Sequence, residues 1–326
     1  MKPAIDVGSY KAVITADGLA GSKTVSFKIN PAKNAKMTVM NENDLVNKGV
    51  AFKPAGATPH VKIRAEIKEG ITRNLVPGRD YKVSYSKNKE AGSDAVAKIT
   101  FLGNYKGAGA ITQKFKINKA DLSRAEIIVA GGFLRGAKDG SKLYFAQPDK
   151  RLFVTIGGAA IKKNEYTVTY RQNGTVLTGK ENLTFNNGKA EITVEITPSP
   201  KAKSLGGKPR TVTYTVKDAG QDVSKLKLSV VQTGGTKSAN VGYTGAEIRF
   251  SQNDKKRQGD IVVKGKIGKT VVELNPKEVE EYFDILYVNN INKGKATIIL
   301  TAKDGNAKGY VGSIIGNFTI KSHELQ

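Results

Sequence analysis

A chain of 326 residues with 35 Gly, no Cys and no Trp has room for two or three domains. Its cores must be built from Val, Ile, Leu and Ala with scattered Tyr and Phe, and thiol catalysis, disulfide staples and cysteine-ligated zinc are excluded. With 53 Lys and Arg against 29 Asp and Glu, the formal charge of +24 favours polyanionic partners. The basic residues are spread through every segment. Lys255-Lys256-Arg257 is the densest run and the candidate polyanion contact.

The elements read as strands from the start. Tyr10, Ala12, Ile14 and Ala16 alternate as one strand, a Gly-containing turn follows, and Val25, Phe27 and Ile29 alternate again. Two strands do not form a stable unit, so residues 1–31 are expected to be the closing hairpin of a partial β-domain or to join a neighbouring sheet. Residues 31–36 resemble a linker. Strand signals then follow at Met37–Met40, at Val61, Ile63, Ala65 and Ile67, at Tyr81, Val83 and Tyr85, at Ala95, Ala97, Ile99 and Phe101, and at Ile111 to Ile117. Pro77-Gly78 supplies a turn.

From residue 120 the pattern restarts, with strands at Ile127-Ile128-Val129, Leu143-Tyr144-Phe145 and Leu152 to Ile156. Tyr166, Val168 and Tyr170 come next, and then Asn173-Gly174 and Asn187-Gly188, which are strong hairpin-turn signals. Ile192, Val194 and Ile196 alternate, Pro198-Ser199-Pro200 interrupts, and Tyr214 and Val216 close. A further unit follows from residue 220, with strands at Leu226 to Val230, after Tyr243, and at Ile261 to Val263. It has a short helix at 275–282, where Asn275 is a good N-cap, Pro276 fits the first helical position and acids fill the first turn. Phe283, Ile285 and Tyr287, then Ala296, Ile298 and Leu300, and finally Phe318 and Ile320 complete it.

The aromatic-x-aliphatic-x-Tyr triplet thus occurs three times. The closing pair occurs four times, as Phe27/Ile29, Phe115/Ile117, Tyr214/Val216 and Phe318/Ile320, at intervals of about one hundred residues. That spacing is the size of one immunoglobulin-like sandwich. Alternating strands favour antiparallel sheets with one wet face. The fold expected is all-β: tandem immunoglobulin-like sandwiches at 32–119, 120–219 and 220–326, joined by short linkers at 118–120 and 218–221.

Asp80-Tyr81-Lys82-Val83-Ser84-Tyr85, Asn88, Ala91-Gly92, Gly103-Asn104-Tyr105-Lys106-Gly107 and Phe115-Lys116-Ile117 together resemble the tandem immunoglobulin-like repeats of Gram-positive, mainly clostridial and lactobacillar, cell-surface proteins and adhesins. Residues 37–119 match best. The second unit keeps the strand motif without Gly-Asn-Tyr, and the third has Tyr282-Phe283-Asp284. The resemblance implies a scaffold and transfers no functional residues. It also implies a stalk or adhesive module outside the cell, with anionic cell-wall polymer, host glycan or a host surface protein as partner. The alternatives are a carbohydrate- or polyanion-binding appendage of a secreted enzyme and a phage virion structural protein.

Catalytic constellations are missing from the pattern. Only His60 and His323 exist, too few for a His-dependent triad or a His metal cluster. Asn41-Glu42-Asn43-Asp44 and Lys303-Asp304-Gly305-Asn306 are acid-bearing but match no calcium loop and read as polar turns. Gly131-Gly132 and Gly206-Gly207 precede no helix, so they cradle no phosphate. The Tyr residues share the aliphatic side of their strands, which argues against specific nucleic-acid stacking. No apolar run is long enough to span a membrane, and Met1–Asp6 has no apolar signal region, so the expectation is that a signal peptide and anchor lie outside this chain. No enzyme activity, cofactor or metal is expected.

Overall fold

The computed structural model describes residues 6–18, 20–130, 134–136, 143–145, 151–179, 181–217, 219–232, 238–252 and 257–322. The fold is all-β and sandwich-like, with mostly antiparallel sheets. The chain divides into two compact units, one made of Met1–Phe52 and Gly56–Lys119, the other of Ala120–Gln326 with Lys53–Ala55.

The first unit carries an N-terminal hairpin, Gly8–Ile14 against Lys23–Ile29, and one sandwich. The sandwich has a three-stranded sheet of Lys36–Val39, Ile63–Lys68 and Ile71–Asn74. Its four-stranded sheet runs in the order Val50–Ala51, Ala110–Asn118, Gly92–Phe101, Tyr81–Ser86. Ile63 and Ala65 of the small sheet and Ala95, Ala97, Ile99 and Phe115 of the large one are buried, as alternation requires. Tyr81 is buried and donates its hydroxyl to the Val61 carbonyl at 2.5 Å, and Tyr85 donates to that of Pro59 at 2.6 Å. Each ring fills the interior while its polar tip finds a backbone acceptor.

The second unit contains two sandwiches whose small sheets and three main large-sheet strands pair in the same order, with the short fourth strand on opposite edges of the large sheet. In one, Glu126–Val129, Leu152–Ile156 and Ala159–Ala160 form the small sheet. Thr175–Val176, Tyr166–Gln172, Lys189–Pro198 and Arg210–Lys217 form the large one. In the other, Lys227–Gln232, Gly259–Ile267 and Thr270–Leu274 face Asn240–Gly242, Ser313–Lys321, Gly294–Ala302 and Phe283–Val288 across a shared core. The facing is close: a Cβ on Gly316 would collide with Leu228 of the opposite sheet.

Turn chemistry explains the punctuation. Asn173-Gly174 and Asn187-Gly188 have positive φ at both positions, as a tight hairpin turn demands. The helix Pro276–Tyr282 forms behind a reciprocal capping box, in which Glu278 donates its N–H to Asn275 Oδ1 at 3.1 Å and Asn275 donates its N–H to Glu278 Oε2 at 3.0 Å. One backbone bond is made in all three sandwiches. The residue after the long strand donates to the residue before the aromatic triplet: Leu102 to Asp80, Ser199 to Glu165 and Lys303 to Tyr282.

Three expectations are corrected. Asp44–Lys48 is a single helical turn rather than a polar turn, held by the Asp44–Lys48 ion pair and burying Leu45. The segment after Tyr243 is not a strand: the strand is Asn240–Gly242, and Ile248 and Phe250 enter the core from irregular chain. The large sheet of the last sandwich has no wet face along its middle. Ile298 and Leu300 face the core while Ile299, between them, is buried on the other side.

Candidate interaction surfaces

The buried outer face is where the two sandwiches of the second unit meet. Ile128 and Ala130 of one pack with Val288 and Ile299 of the other, flanked by Phe153, Ala160, Leu286 and Ile315. Sheet face thus covers sheet face, which removes apolar area from water at roughly 25 cal/mol per Å². Asn289 pins the edge. It sits at φ 61°, a left-handed conformation Asn tolerates. Its N–H donates to the Gly158 carbonyl at 2.7 Å, and its Oδ1 accepts the Ala160 N–H at 2.8 Å. Asn290 turns the other way, with its Nδ2 donating to the Ile248 carbonyl at 3.1 Å while Ile248 donates back to the Asn290 carbonyl. Asn88 and Ala57 make the same reciprocal pair in the first unit, at 2.9 and 2.8 Å, after Lys87 at φ 52°.

Charge closes the far edge of this interface. Asp304 pairs with Lys217 and, at 3.2 Å, with Lys189. Hydrogen bonds from Lys217 and Lys189, with their positive charge, hold the Asp304 carboxyl below its ordinary range. The polar turn at 303–306 is therefore also an ionic pin, and its Asn306 braces the turn internally through Lys303 and Tyr310. Sequence reading missed this interface. Its signal was the consecutive apolar residues Ile298-Ile299-Leu300, Ile314-Ile315 and Ile127-Ile128-Val129, where alternation breaks because both faces are covered.

In the first unit, the N-terminal hairpin is fixed to its sandwich by Asn104. Asn104 Oδ1 accepts the Val7 N–H at 2.7 Å, its Nδ2 donates to Asp6 Oδ1 at 3.0 Å, and its carbonyl accepts the Ala32 N–H at 2.8 Å. Beside this anchor lies an open groove of about 940 Å³ lined by Lys28, Lys33, Lys106, Asn30 and Asn34. The Lys33 stem lies against Gly107, where φ is 93° and no Cβ intervenes. Lys28, Lys33 and Lys106 have no ion-pair partner among the described residues.

Of the predicted polyanion contact, Lys255 and Lys256 lie outside the described residues. Arg257 is engaged with Asp260 at 3.1 Å and with the Gln252 carbonyl. Gly131-Gly132 and His323 also lie outside the described residues. His60 is exposed, and its carbonyl accepts from Asn41. Gly206 pairs with Asp121 in a two-residue parallel bridge. Two acids, each just before an aromatic-triplet strand, are buried. Glu165 accepts the N–H groups of Ser204 at 2.6 Å and Leu205 at 3.2 Å. Asp80 accepts from Val76 at 2.8 Å and from Arg79. Burial raises the Asp80 pKa, but Arg79 and the Val76 N–H outweigh it and hold the carboxyl below its ordinary range. Both acids brace loops.

No helix among the described residues is long and apolar enough to cross a membrane, and no group of three His, Cys, Asp or Glu among them is placed to hold a metal ion. No protein-family model, curated protein or solved structure matches the chain.

Proposed function

We propose that this chain is a non-enzymatic structural and adhesive segment of a bacterial surface protein, made of tandem immunoglobulin-like modules displayed outside the cell. The observation that supports this most is the apolar, pinned interface around Ile128, Val288, Ile299 and Asn289, which fastens two sandwiches into one body. A projecting segment needs such coupling between modules. Strand geometry supports the same reading. Asn240–Gly242 runs parallel to the closing strand Ser313–Lys321, and Val50–Ala51 runs parallel to Ala110–Asn118. Tension between the two ends of a sandwich loads such a pair in shear, so its hydrogen bonds resist together. Single-molecule stretching between the termini tests this. Discrete force peaks are expected, each releasing about 30 nm as one sandwich extends. A featureless low-force extension would overturn the reading.

A second reading rests on the lysine groove. Lys28, Lys33 and Lys106 converge on an open surface suited to the sulfates or carboxylates of an anionic glycan or wall polymer. Heparin-column elution compares Lys28, Lys33 and Lys106→Glu with the equal-charge control Lys68, Lys89 and Lys266→Glu. Earlier elution of the groove variant alone supports a site. Equal shifts reduce the binding to net charge.

A further inference from the structure

The N-terminal hairpin presents an apolar face that is covered in every other hairpin of its kind. In the register Gly8↔Ile29, Tyr10↔Phe27, Ala12↔Val25, Ile14↔Lys23, one face carries Tyr10, Ala12, Ile14, Val25, Phe27 and Ile29. The other carries Ser9, Lys11, Thr24, Ser26 and Lys28, with Val13 as its one apolar residue. The closing hairpin of the second sandwich matches it pair for pair: Ala190↔Val216, Ile192↔Tyr214, Val194↔Val212, Ile196↔Arg210. That of the third repeats it again as Gly294↔Ile320, Ala296↔Phe318, Ile298↔Gly316, Leu300↔Ile314. Ile14 is 55% exposed where its counterparts Ile196 and Leu300 are fully buried, and Val25 and Phe27 are 40% and 44% exposed where Val212 and Tyr214 are half-buried and Phe318 is fully buried.

A second observation is independent of this pattern. The N-terminal hairpin is anchored through Asp6 and Val7, at the start of its first strand, to Asn104 in the turn after the long strand of the neighbouring sandwich. The second sandwich is anchored through Lys189 and Lys217, at the start and end of its closing hairpin, to Asp304 in the corresponding turn of the third. The hairpin therefore meets its neighbour as a complete module does.

From these we infer that the hairpin is a strand acceptor, the closing half of a fourth sandwich's large sheet, and that its occupant is the front segment of a module of this same type. The other large sheets specify how it docks. Tyr81–Ser86, Tyr166–Gln172 and Phe283–Val288 each pair antiparallel with the long strand on the side away from the closing strand. The equivalent edge of Gly8–Ile14 has no strand beside it among the described residues. An aromatic-x-aliphatic-x-aromatic strand would pair along that edge, and the small sheet ahead of it would cover Ala12, Ile14, Val25 and Phe27. A second copy of this chain is the poorer fit, because a charge of +24 opposes its approach. The inference rests on register and anchoring, and it stands or falls separately from the stalk and glycan readings.

The test places a copy of residues 120–187, the front of the second sandwich, directly ahead of Asp6, which keeps the Asp6 and Val7 anchors to Asn104. Joining it in cis supplies a high effective concentration. Amide hydrogen exchange of Gly8–Ile14 is then read with and without the added segment. Acceptance predicts at least a hundredfold slowing at that strand. Phe27→Asp should abolish the slowing in the extended chain and leave the exchange of Gly92–Phe101 unchanged in the chain without the segment. Replacing the segment's three motif residues, the counterparts of Tyr166, Val168 and Tyr170, by Ser should also abolish it. Equal exchange with and without the segment would overturn the inference. So would slowing that survives Phe27→Asp, or a concentration-dependent dimer of the unextended chain that Phe27→Asp dissolves, which would make a second copy the occupant.

Discussion

The N-terminal hairpin and the closing hairpin of the second sandwich share a register and an amphipathic pattern, but Ile196 is wholly buried and its counterpart Ile14 is 55% exposed. A strand's alternation records what it is built to bury, while its energetic weight depends on what lies over it. The sharpest way to break the comparison is to truncate both. Ile196→Ala removes fully buried methyl groups and should destabilise the second unit by about 2–5 kcal/mol. Ile14→Ala should stay within about 0.5 kcal/mol. Urea unfolding of each variant gives the difference, and equal losses would mean that Ile14 is already covered in solution.

The same logic applies across one strand of the third sandwich. Ile298 points into its own core and Ile299 into the neighbouring sandwich. Ile299→Ala should cost about 2–4 kcal/mol, near the lower part of the range for buried Ile truncation. It should also do something Ile298→Ala does not, namely separate the unfolding of the two sandwiches into two transitions in a calorimetric scan. A single transition in both variants would show that the interface does not couple them.

These positions mark how far the sequence could be read. The alternating strands, the two Asn-Gly turns and the capped helix were legible because each is decided within a few residues by φ preference, periodicity or a local hydrogen bond. The interface was not, because nothing local distinguishes an apolar residue buried in its own core from one buried against another sandwich. Ile299 differs from an alternating position only in having Ile298 and Leu300 beside it. The buried role of Glu165 was not legible for the same reason: its partners Ser204 and Leu205 lie some forty residues on. The lysine groove was missed because Lys28, Lys33 and Lys106 converge only after the Asn104 anchor folds the linker back.

Buried acids offer a smaller test. Asp80 and Glu165 occupy the same place before the aromatic triplet, but Asp80 bonds locally and Glu165 across the sandwich. Asp80→Ala should cost about 1.5–3 kcal/mol, the range for hydrogen bonds to a charged group. Because the folded-state pKa of Asp80 is depressed, its stabilisation is present above the ordinary Asp pKa of about 3.9 and is lost as pH falls through the folded value. Denaturant midpoints of the native chain and of Asp80→Asn should therefore differ at pH 6 and converge toward pH 2.

The smallest effect separates the two anchors. The N-terminal hairpin is held to its neighbour by the neutral amide of Asn104, and the second sandwich is held to the third partly by the charged Asp304. Asp304 is exposed and its pKa is lowered by Lys217 and Lys189, so its pairing is present above the ordinary carboxylate range and is lost as pH falls below it. Salt screens such an exposed pair, and a short bond to a side-chain amide is far less sensitive to it. Raising salt to 1 M or substituting Asp304→Asn should therefore speed exchange of the Ala160 and Asn289 amides modestly while leaving Val7 unchanged. The apolar patch around Ile299 should keep the interface closed in both cases. If salt alone opens it, the ionic pin and not the buried face joins the two sandwiches.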